Sequence, residues 1–506
     1  MPSTVSDGPP LPPPDTRAHP GPDLGGVTDS LRAALGVPGR GYGRPVTTFT
    51  RPQRLVIAIA VLASFVTFLD GTVVTVALPA ISRELGGGIT TQQWAVDAYL
   101  ITLSALILLA GSAADAYGRA RVMRIGLIAF GVASIAVAVA MDPLVLIIAR
   151  AGQGAAGALL VPSSLALITA AMRGEVQARA IGVWTAFTTA AQLVGPLLGG
   201  LFVDYLSWRF VFLINVLPIA ATLFLLSRLH LEERPRGIRV DWWSGALCAI
   251  GLGGVVFALI EQPHQGWGSP AIWIPGLGGG VLLVVFLLRQ RRPEPLLPLA
   301  LFRVRNFGWG NLATLFVYAA LSLNGFVVGV YLQQGAGLGA TLAGLASLPV
   351  TILMILLSSR AGAWAGRFGP RIFMTAGPLI MAAGALLLLS VSERFDYWWQ
   401  VLPGMIVLGI GLALTVAPLT SAILGSVDEA RSGIASAINN AVSRVAGLLV
   451  VAMLSTIVGG ALDLNGFHDA ARVTAVLFAV GGIVSWIGIR RPAPETAAAP
   501  AGATDR

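Results

Sequence analysis

The chain reads as an all-α integral membrane protein of fourteen transmembrane helices, arranged as two six-helix bundles with a two-helix insert. Three observations predict this. Hydrophobic residues make up 55% of the 506 residues and charged residues 11%, against roughly 25% charged in an ordinary soluble domain. Apolar runs of about 17 to 25 residues, enough to cross a bilayer as a helix, recur along the sequence. A short pattern that follows the second run returns after the tenth.

Residues 1–50 hold ten prolines, with PPLPPPD at Pro9 to Asp15, and no periodic apolar face. Residues 1–54 are therefore expected to form a disordered tail. The tail is not a secretory signal, because the first apolar run begins near Leu55 and leads into a full span without a cleavage site. Six spans, near 55–80, 92–113, 122–140, 144–169, 180–203 and 210–228, make an N-terminal bundle within 55–230. Two more, near 242–260 and 272–288, make an insert within 231–305. The last six, near 307–331, 341–359, 372–391, 398–423, 433–458 and 472–489, make a second bundle within 306–490, and 491–506 is a second disordered tail. The even count puts both termini on one side.

The repeated pattern supports a duplication. GSAADAYGRARVM at Gly111 and GAWAGRFGPRIFM at Gly362 share a glycine, a spacer, an aromatic-Gly pair and arginines. Parallel repeats of six helices build a large class of secondary transporters, with the substrate between them. Arginine placement then sets orientation. Connections on the side of the termini carry eighteen arginines, including Arg119, Arg121, Arg124 and those from Arg289 to Arg305, and the opposite side carries four. Positive charge concentrates on the cytoplasmic side, so both termini are expected there, in a plasma (inner) membrane protein.

Composition also excludes function classes. All 33 basic residues are arginine, so the lysine of a phosphate-cradling Walker A loop is missing and ATP-driven pumping by this chain is excluded. The net charge of +9 flanks apolar spans rather than forming a basic soluble face, which argues against nucleic acid as a partner. His19, His230, His264 and His468 are scattered without metal-ligand spacing, and Cys248 is alone. With no nucleophile elbow and no HExxH, no catalytic residue, metal or cofactor is expected, and the chain is not read as an enzyme. Trp242, Trp243, Trp398 and Trp399 at helix ends suit interfacial anchors.

Three charges fall inside spans. Asp70, in SFVTFLDGTVVTVALPA, lies roughly 13 Å from the outer end of its helix near Pro79. Arg150, in VLIIARAGQGAAGALLVP, lies roughly 9 Å deep from the same side. The matched depths predict a pair, since a charge facing lipid costs at least a few kcal/mol. Two roles stay open for it: a static ion pair, or a titrating Asp70 that loads and releases a proton as its environment changes. Arg444 sits roughly 18 Å from the cytoplasmic end of the thirteenth span. Asp97, near the outer start of the second helix, reads as an interfacial residue and a secondary candidate. Arg150, Gly154 and Gly157 share one helical face, a charge beside a small-residue seam, with Gln153 next to it. Gly195, Pro196, Gly199 and Gly200 place a broken hydrogen bond and close-approach positions inside the fifth helix.

The sequence from about Leu55 to Arg490 resembles the major facilitator superfamily, and within it the fourteen-helix drug/proton antiporters. LDGTVVTVALPAI resembles the first-helix motif, GSAADAYGRARVM the loop motif after helix two, RAGQGAAGA the fourth-helix motif and GPLLGG the antiporter motif of helix five. PLLPLALFRVRNF, YLQQGAGLGATLAGLASLP and RSGIASAINNAVSRVAG resemble second-half segments of that branch. The resemblance implies the major facilitator fold and a proton-driven exporter. It assigns proton coupling to Asp70 and Arg150, and a cytoplasmic gate to Gly111, Asp115, Gly118, Arg119 and Arg121. It gives the antiporter motif to Gly195, Pro196, Gly199 and Gly200, and the substrate cavity to Gln153, Asn439, Asn440 and Arg444. The loop motif departs from the family at Ala116 and Ala120, usually basic, and its second copy has Gly366 in place of the acid.

The expected partners are a small-molecule substrate, protons and the lipid bilayer, and the expected state is a monomer. Two rivals remain: a proton symporter for nutrient uptake, and a membrane receptor or scaffold that transports nothing. The sign of substrate flux under a pH gradient separates the first, and substrate-dependent proton movement the second.

Overall fold

The computed structural model describes residues 49–229, 240–293, 295–428 and 431–490. Most of the expected N-terminal tail, His230, the arginines from Arg234 to Arg239 and the tail 491–506 lie outside the described residues. Fourteen helices are long and apolar enough to cross a membrane, and no strand occurs among the described residues. In chain order they are α1 (Arg51–Leu85), α2 (Gly88–Tyr117), α3 (Arg119–Ala138), α4 (Pro143–Ala171), α5 (Gly174–Tyr205), α6 (Phe210–Ser227), α7 (Trp242–Gln265), α8 (Pro270–Arg289), α9 (Arg305–Gln334), α10 (Ala340–Phe368), α11 (Pro370–Ser390), α12 (Tyr397–Leu424), α13 (Ser432–Ala452) and α14 (Leu464–Gly488). The end of the bundle that holds Thr50 and Arg490 is called near below, and the opposite end far.

Most helices outrun the apolar windows that announce them, because backbone geometry and caps stop them rather than the first charge. Helix α1 starts at Arg51, not at Leu55: the Thr50 hydroxyl accepts from the Gln53 N–H, and the Gln53 side chain accepts from the Thr50 N–H. The Asp142, Asp241 and Asp463 side chains cap α4, α7 and α14 by accepting from the N–H groups of Val145, Ser244 and Gly466. The Asp463 cap starts α14 at Leu464, ahead of the expected edge at Arg472, so Arg472 lies inside the helix and pairs with Asp469 at 2.6 Å. Helices α2 and α10 both end at a glycine in the left-handed region, Gly118 (φ 97°) and Gly369 (φ 90°). A side chain would be strained there, and the two positions coincide in the repeated pattern.

Packing repeats with the sequence. In the first half α1 packs on α5, α2 on α4, and α3 on α4 and α6; in the second α9 packs on α13, α10 on α12, and α11 on α12 and α14. Each pair of the first set reappears eight helices later. Helices α7 and α8 form a hairpin, tied by an ion pair of 2.9 Å between Arg289 and Asp241. Burial acts to raise the Asp241 carboxyl, but hydrogen bonds from Ser244 and Arg289 overcome this and hold it below its ordinary value. The hairpin lies against α2 and α13 through α7.

The halves meet along two seams, α2 with α13 and α5 with α10, and both are sealed toward the far end. On the first, the Gln93 side chain donates to the Val451 and Ala452 carbonyls at 2.7 and 3.1 Å and accepts from the Ser455 hydroxyl at 2.5 Å. On the second, a Cβ on Gly200 would stand 2.5 Å from the Thr341 Cα, and one on Gly344 would stand 2.5 Å from the Pro196 carbonyl oxygen. Next to this crossing the Asp204 carboxylate of α5 accepts from the Ala340 and Thr341 N–H groups, at 2.9 and 2.8 Å, capping α10 from the other half. Gly195 and Gly199 face the other way, where a Cβ would run into Thr72 and Val73 of α1. A buried apolar cluster including Val74, Leu78, Phe326 and Val330 joins both halves at this end.

The crossing leaves no room for a side chain, so Gly200→Val is expected to destabilise the protein by about 1–3 kcal/mol through overpacking. A lowered thermal unfolding midpoint of the purified protein would report it. Gly253→Ala, where nothing lies within 4 Å of the added Cβ, should leave the midpoint in place.

Candidate functional site

Asp70 and Arg150 meet as their depths predict. An Arg150 guanidinium nitrogen lies 2.7 Å from Asp70 Oδ2, and the two side chains are 1% and 0% exposed. The geometry is possible because α4 is glycine-lined where α2 crosses it. A Cβ on Gly154 would run into the Tyr99 carbonyl oxygen, and one on Gly157 would press on Phe130 and the Tyr99 hydroxyl. With α2 this close, Arg150 Nε donates to the Ala95 carbonyl at 2.8 Å, and the guanidinium lies 4.5 Å from the centre of the Tyr99 ring. Phe212 of α6 flanks it at 5.6 Å, so two aromatic rings face the cation.

Both Asp70 oxygens and most of the surrounding donors are also used, while the Asn215 carbonyl oxygen has no partner. Gln153 donates to Asp70 Oδ1 at 2.9 Å and to the Ser134 hydroxyl at 2.9 Å, while accepting from Arg150 at 2.6 Å. Asn215 of α6 donates to the same Asp70 oxygen at 3.2 Å. Five helices, α1, α2, α3, α4 and α6, thus converge on one buried ion pair. Excellent geometry and satisfied hydrogen bonds are what allow two charges to remain in so dry a place.

Two site residues, Gln153 and Asp97, stand differently from the reading of the sequence, and two further residues join the site. Gln153, assigned to the cavity, is fully buried inside this network. Asn215 and Ser134 belong to it and were not singled out; an amide ending the apolar stretch WRFVFLIN was the available signal for the first, and a lone serine gave none for the second. Asp97, read as interfacial, is 0% exposed, and neither carboxylate oxygen has a hydrogen-bond partner. The polar residues Gln92 and Gln93 hid this. They hydrogen-bond to Ser82 of α1 and to α13 rather than to water. Helix α2 therefore starts at Gly88, which places Asp97 roughly 13 Å along the helix.

Between the halves at the near end lies a cavity of about 450 Å³, with Asp115, Arg119, Thr169, Leu296, Ser436 and Asn440 among its lining. Gly111 lines it too, and Asp115 pairs with Arg119 one turn on at 3.1 Å, while Arg121 faces outward. Asn439 points to α9, donating to Asn311 at 3.2 Å and Thr314 at 2.9 Å. Arg444, one turn from Asn440, is partly buried and its Nε has no partner.

The sequence profile of the Major Facilitator Superfamily matches residues 60–451. The cephamycin export protein CmcT of Amycolatopsis lactamdurans is 32% identical over 424 residues, covering 82% of this chain and 87% of that protein. The puromycin resistance protein pur8 of Streptomyces alboniger is 33% identical over 456 residues, covering 85% and 90%. The multidrug resistance protein Stp of Mycobacterium tuberculosis is 32% identical over 420 residues, covering 82% and 77%. Among solved structures, a peptide transporter POT bound to sulfate superposes with a TM-score of 0.65 at 16% identity, covering 91% of this chain and 97% of that one. A D-xylose-proton symporter gives 0.62 at 14%, covering 87% and 98%. At such identity the structural likeness speaks for the fold alone.

Removing one member of a buried pair strands the other charge. Arg150→Ala is expected to lose about 3–5 kcal/mol of stability. Arg472→Ala, in the exposed pair with Asp469, should lose less than about 1 kcal/mol. Denaturant or thermal unfolding of both variants in detergent would measure the difference.

Proposed function

Because this chain belongs to the Major Facilitator Superfamily, we propose that it exports small amphipathic molecules across the plasma membrane by alternating access, in exchange for protons. Export rests on relatives named for export or resistance that align over more than four-fifths of the chain. In this reading the near end is cytoplasmic, as the arginine distribution favours. The protein works as a monomer in which 55–230 and 306–490 rock against each other, with 231–305 carrying the hairpin. The structure is then an inward-facing state: the far seams are sealed and the cavity lies at the near end.

The observation that carries proton coupling is Asp97. A carboxylate with no donor on either oxygen, buried in the bilayer, would cost several kcal/mol as an anion. We assign it a proton in this sealed state. Opening the far end separates α2 from α13 at Gln93, one turn from Asp97, and so brings water and external protons to the acid. The Asp70–Arg150 network holds five helices of the first half as one body while this happens. Gly111, Asp115, Gly118 and Arg119 form the cytoplasmic gate beside the cavity, with Arg121 on its outer side; Pro196 and Gly200 form the crossing at which the far end closes, and Gly195 and Gly199 seat the same helix on α1.

Proton binding shifts the balance between the two states only by its differential affinity for them. In inside-out vesicles, an imposed pH gradient should accelerate accumulation of at least one compound from a chemically diverse drug panel. Asp97→Asn should reduce the rate to that seen without a gradient. Accumulation under the opposite gradient would mean symport, and no proton movement with any compound would end the transport reading.

A further inference from the structure

Arg444 and Asp97 share one interface. On α2, Gln93, Asp97, Ile101 and Ala105 recur every four residues and form one face. On α13, Arg444, Leu448 and Ala452 do the same, and Ser455 lies in the short turn Leu454–Ile457 just beyond the end of that helix. The contacts fix the register of these antiparallel faces: Gln93 bonds Val451, Ala452 and Ser455, while Ile101 and Ala105 pack in one cluster with Leu448 and Ala452, bordered by Val445. Counting at 1.5 Å per residue, Asp97 lies roughly 6 Å nearward of Gln93, and Arg444 roughly 11 Å nearward of Val451 and Ala452. Arg444 is therefore about one helical turn beyond Asp97 along the facing helix.

Both groups are incompletely satisfied where they stand. Neither oxygen of Asp97 nor Nε of Arg444 has a partner, and Arg444 forms no ion pair among the described residues. The other charges on the packed helices are engaged. Asp70 of α1 and Arg150 of α4 hold each other, and Glu261 of α7 accepts from Trp94 at 2.9 Å, while Asp115 pairs with Arg119 at the near end. Helices α9 and α12 bring no acid to α13. Tyr99 and Tyr318 are the groups in electrostatic contact with Arg444, and the Tyr99 hydroxyl also lacks a hydrogen-bond partner.

We propose that Arg444 is the counter-charge that receives Asp97 once the acid gives up its proton, so that an ion pair across the α2–α13 seam alternates with a protonated acid in the unpartnered pose seen here. The inference rests on the proton-coupled reading. In the step, the Asp97 O–H bond breaks, its proton passes to water, and the electron pair stays on the carboxylate, which slides one turn along the facing helix to the guanidinium. A charge forms in the bilayer only as its partner arrives, which is how buried carboxylates are made tolerable. Arg444 acts through Asp97 and is a positioning residue.

The test uses the full-length protein in lipid vesicles and infrared difference spectra, with protons as the only ligand. The carboxylic-acid band absent from Asp97→Asn reports Asp97 directly. In Arg444→Gln the ionised fraction of Asp97 at a given pH should fall about tenfold or more, the usual effect of losing an adjacent opposite charge. Arg444→Lys should restore much of it. Titration of the band in Arg444→Gln identical to wild type would overturn the proposal, and Arg444 would then be free to serve an anionic substrate. If Arg444→Gln does not fold, the doubly neutral Asp97→Asn/Arg444→Gln decides: recovery of folding supports the pairing, and failure to recover overturns it. A wild-type protein with no Asp97-dependent band at any pH would instead remove Asp97 from proton coupling altogether.

Discussion

No water reaches the hydrocarbon core of a bilayer, so a polar group there must find its partner within the protein or be paid for in stability. The first half of this chain is organised by that constraint. One carboxylate and one guanidinium in apolar helices draw in Gln153, Ser134, Asn215 and the Ala95 carbonyl until almost every donor and acceptor is used. Glycines at 154 and 157 are required less for their own sake than because the arginine must reach across to α2. Asp97 is the informative exception, since the same physics that completes the network around Asp70 leaves this acid without a donor.

The two seams between the halves are related by the internal duplication yet differently built. One is held by hydrogen bonds of the Gln93 side-chain amide and is covered by the α7–α8 hairpin. The other depends on backbones in contact at Gly200 and Gly344, with Asp204 capping a helix that belongs to the opposite half. Both join the halves at the same end, and neither connection is a surface ion pair of the kind that contributes little.

Much of this was legible in the sequence. Fourteen spans follow from hydropathy because the bilayer sets their length, and the Asp70–Arg150 contact follows from two depths counted along two helices. The echo of GSAADAYGRARVM in GAWAGRFGPRIFM marked the duplication that the packing repeats. What hydropathy cannot read is a polar residue satisfied by another helix. Thr90, Thr91, Gln92 and Gln93 look like the edge of a span, and only the bonds of Gln92 to α1 and of Gln93 to α13 reveal that the helix began earlier and that Asp97 is deep. The same limit moved Gln153 from cavity to network, and kept Asn215 and Ser134 out of sight: which face of a helix a side chain occupies can be counted, but which neighbour lies against it cannot.

The α5–α10 crossing has an evolutionary corollary. A cavity wall such as that around Ser436 and Asn440 has room for other side chains, so, on the proposed reading of that cavity as the cargo site, a lineage can exchange one cargo for another by drift, one substitution at a time. Gly200 and Gly344 each meet main-chain atoms rather than the ends of flexible side chains, so no repacking nearby accommodates a larger residue at either. Descendants of this chain are thus free to change what they carry long before they are free to change how they close.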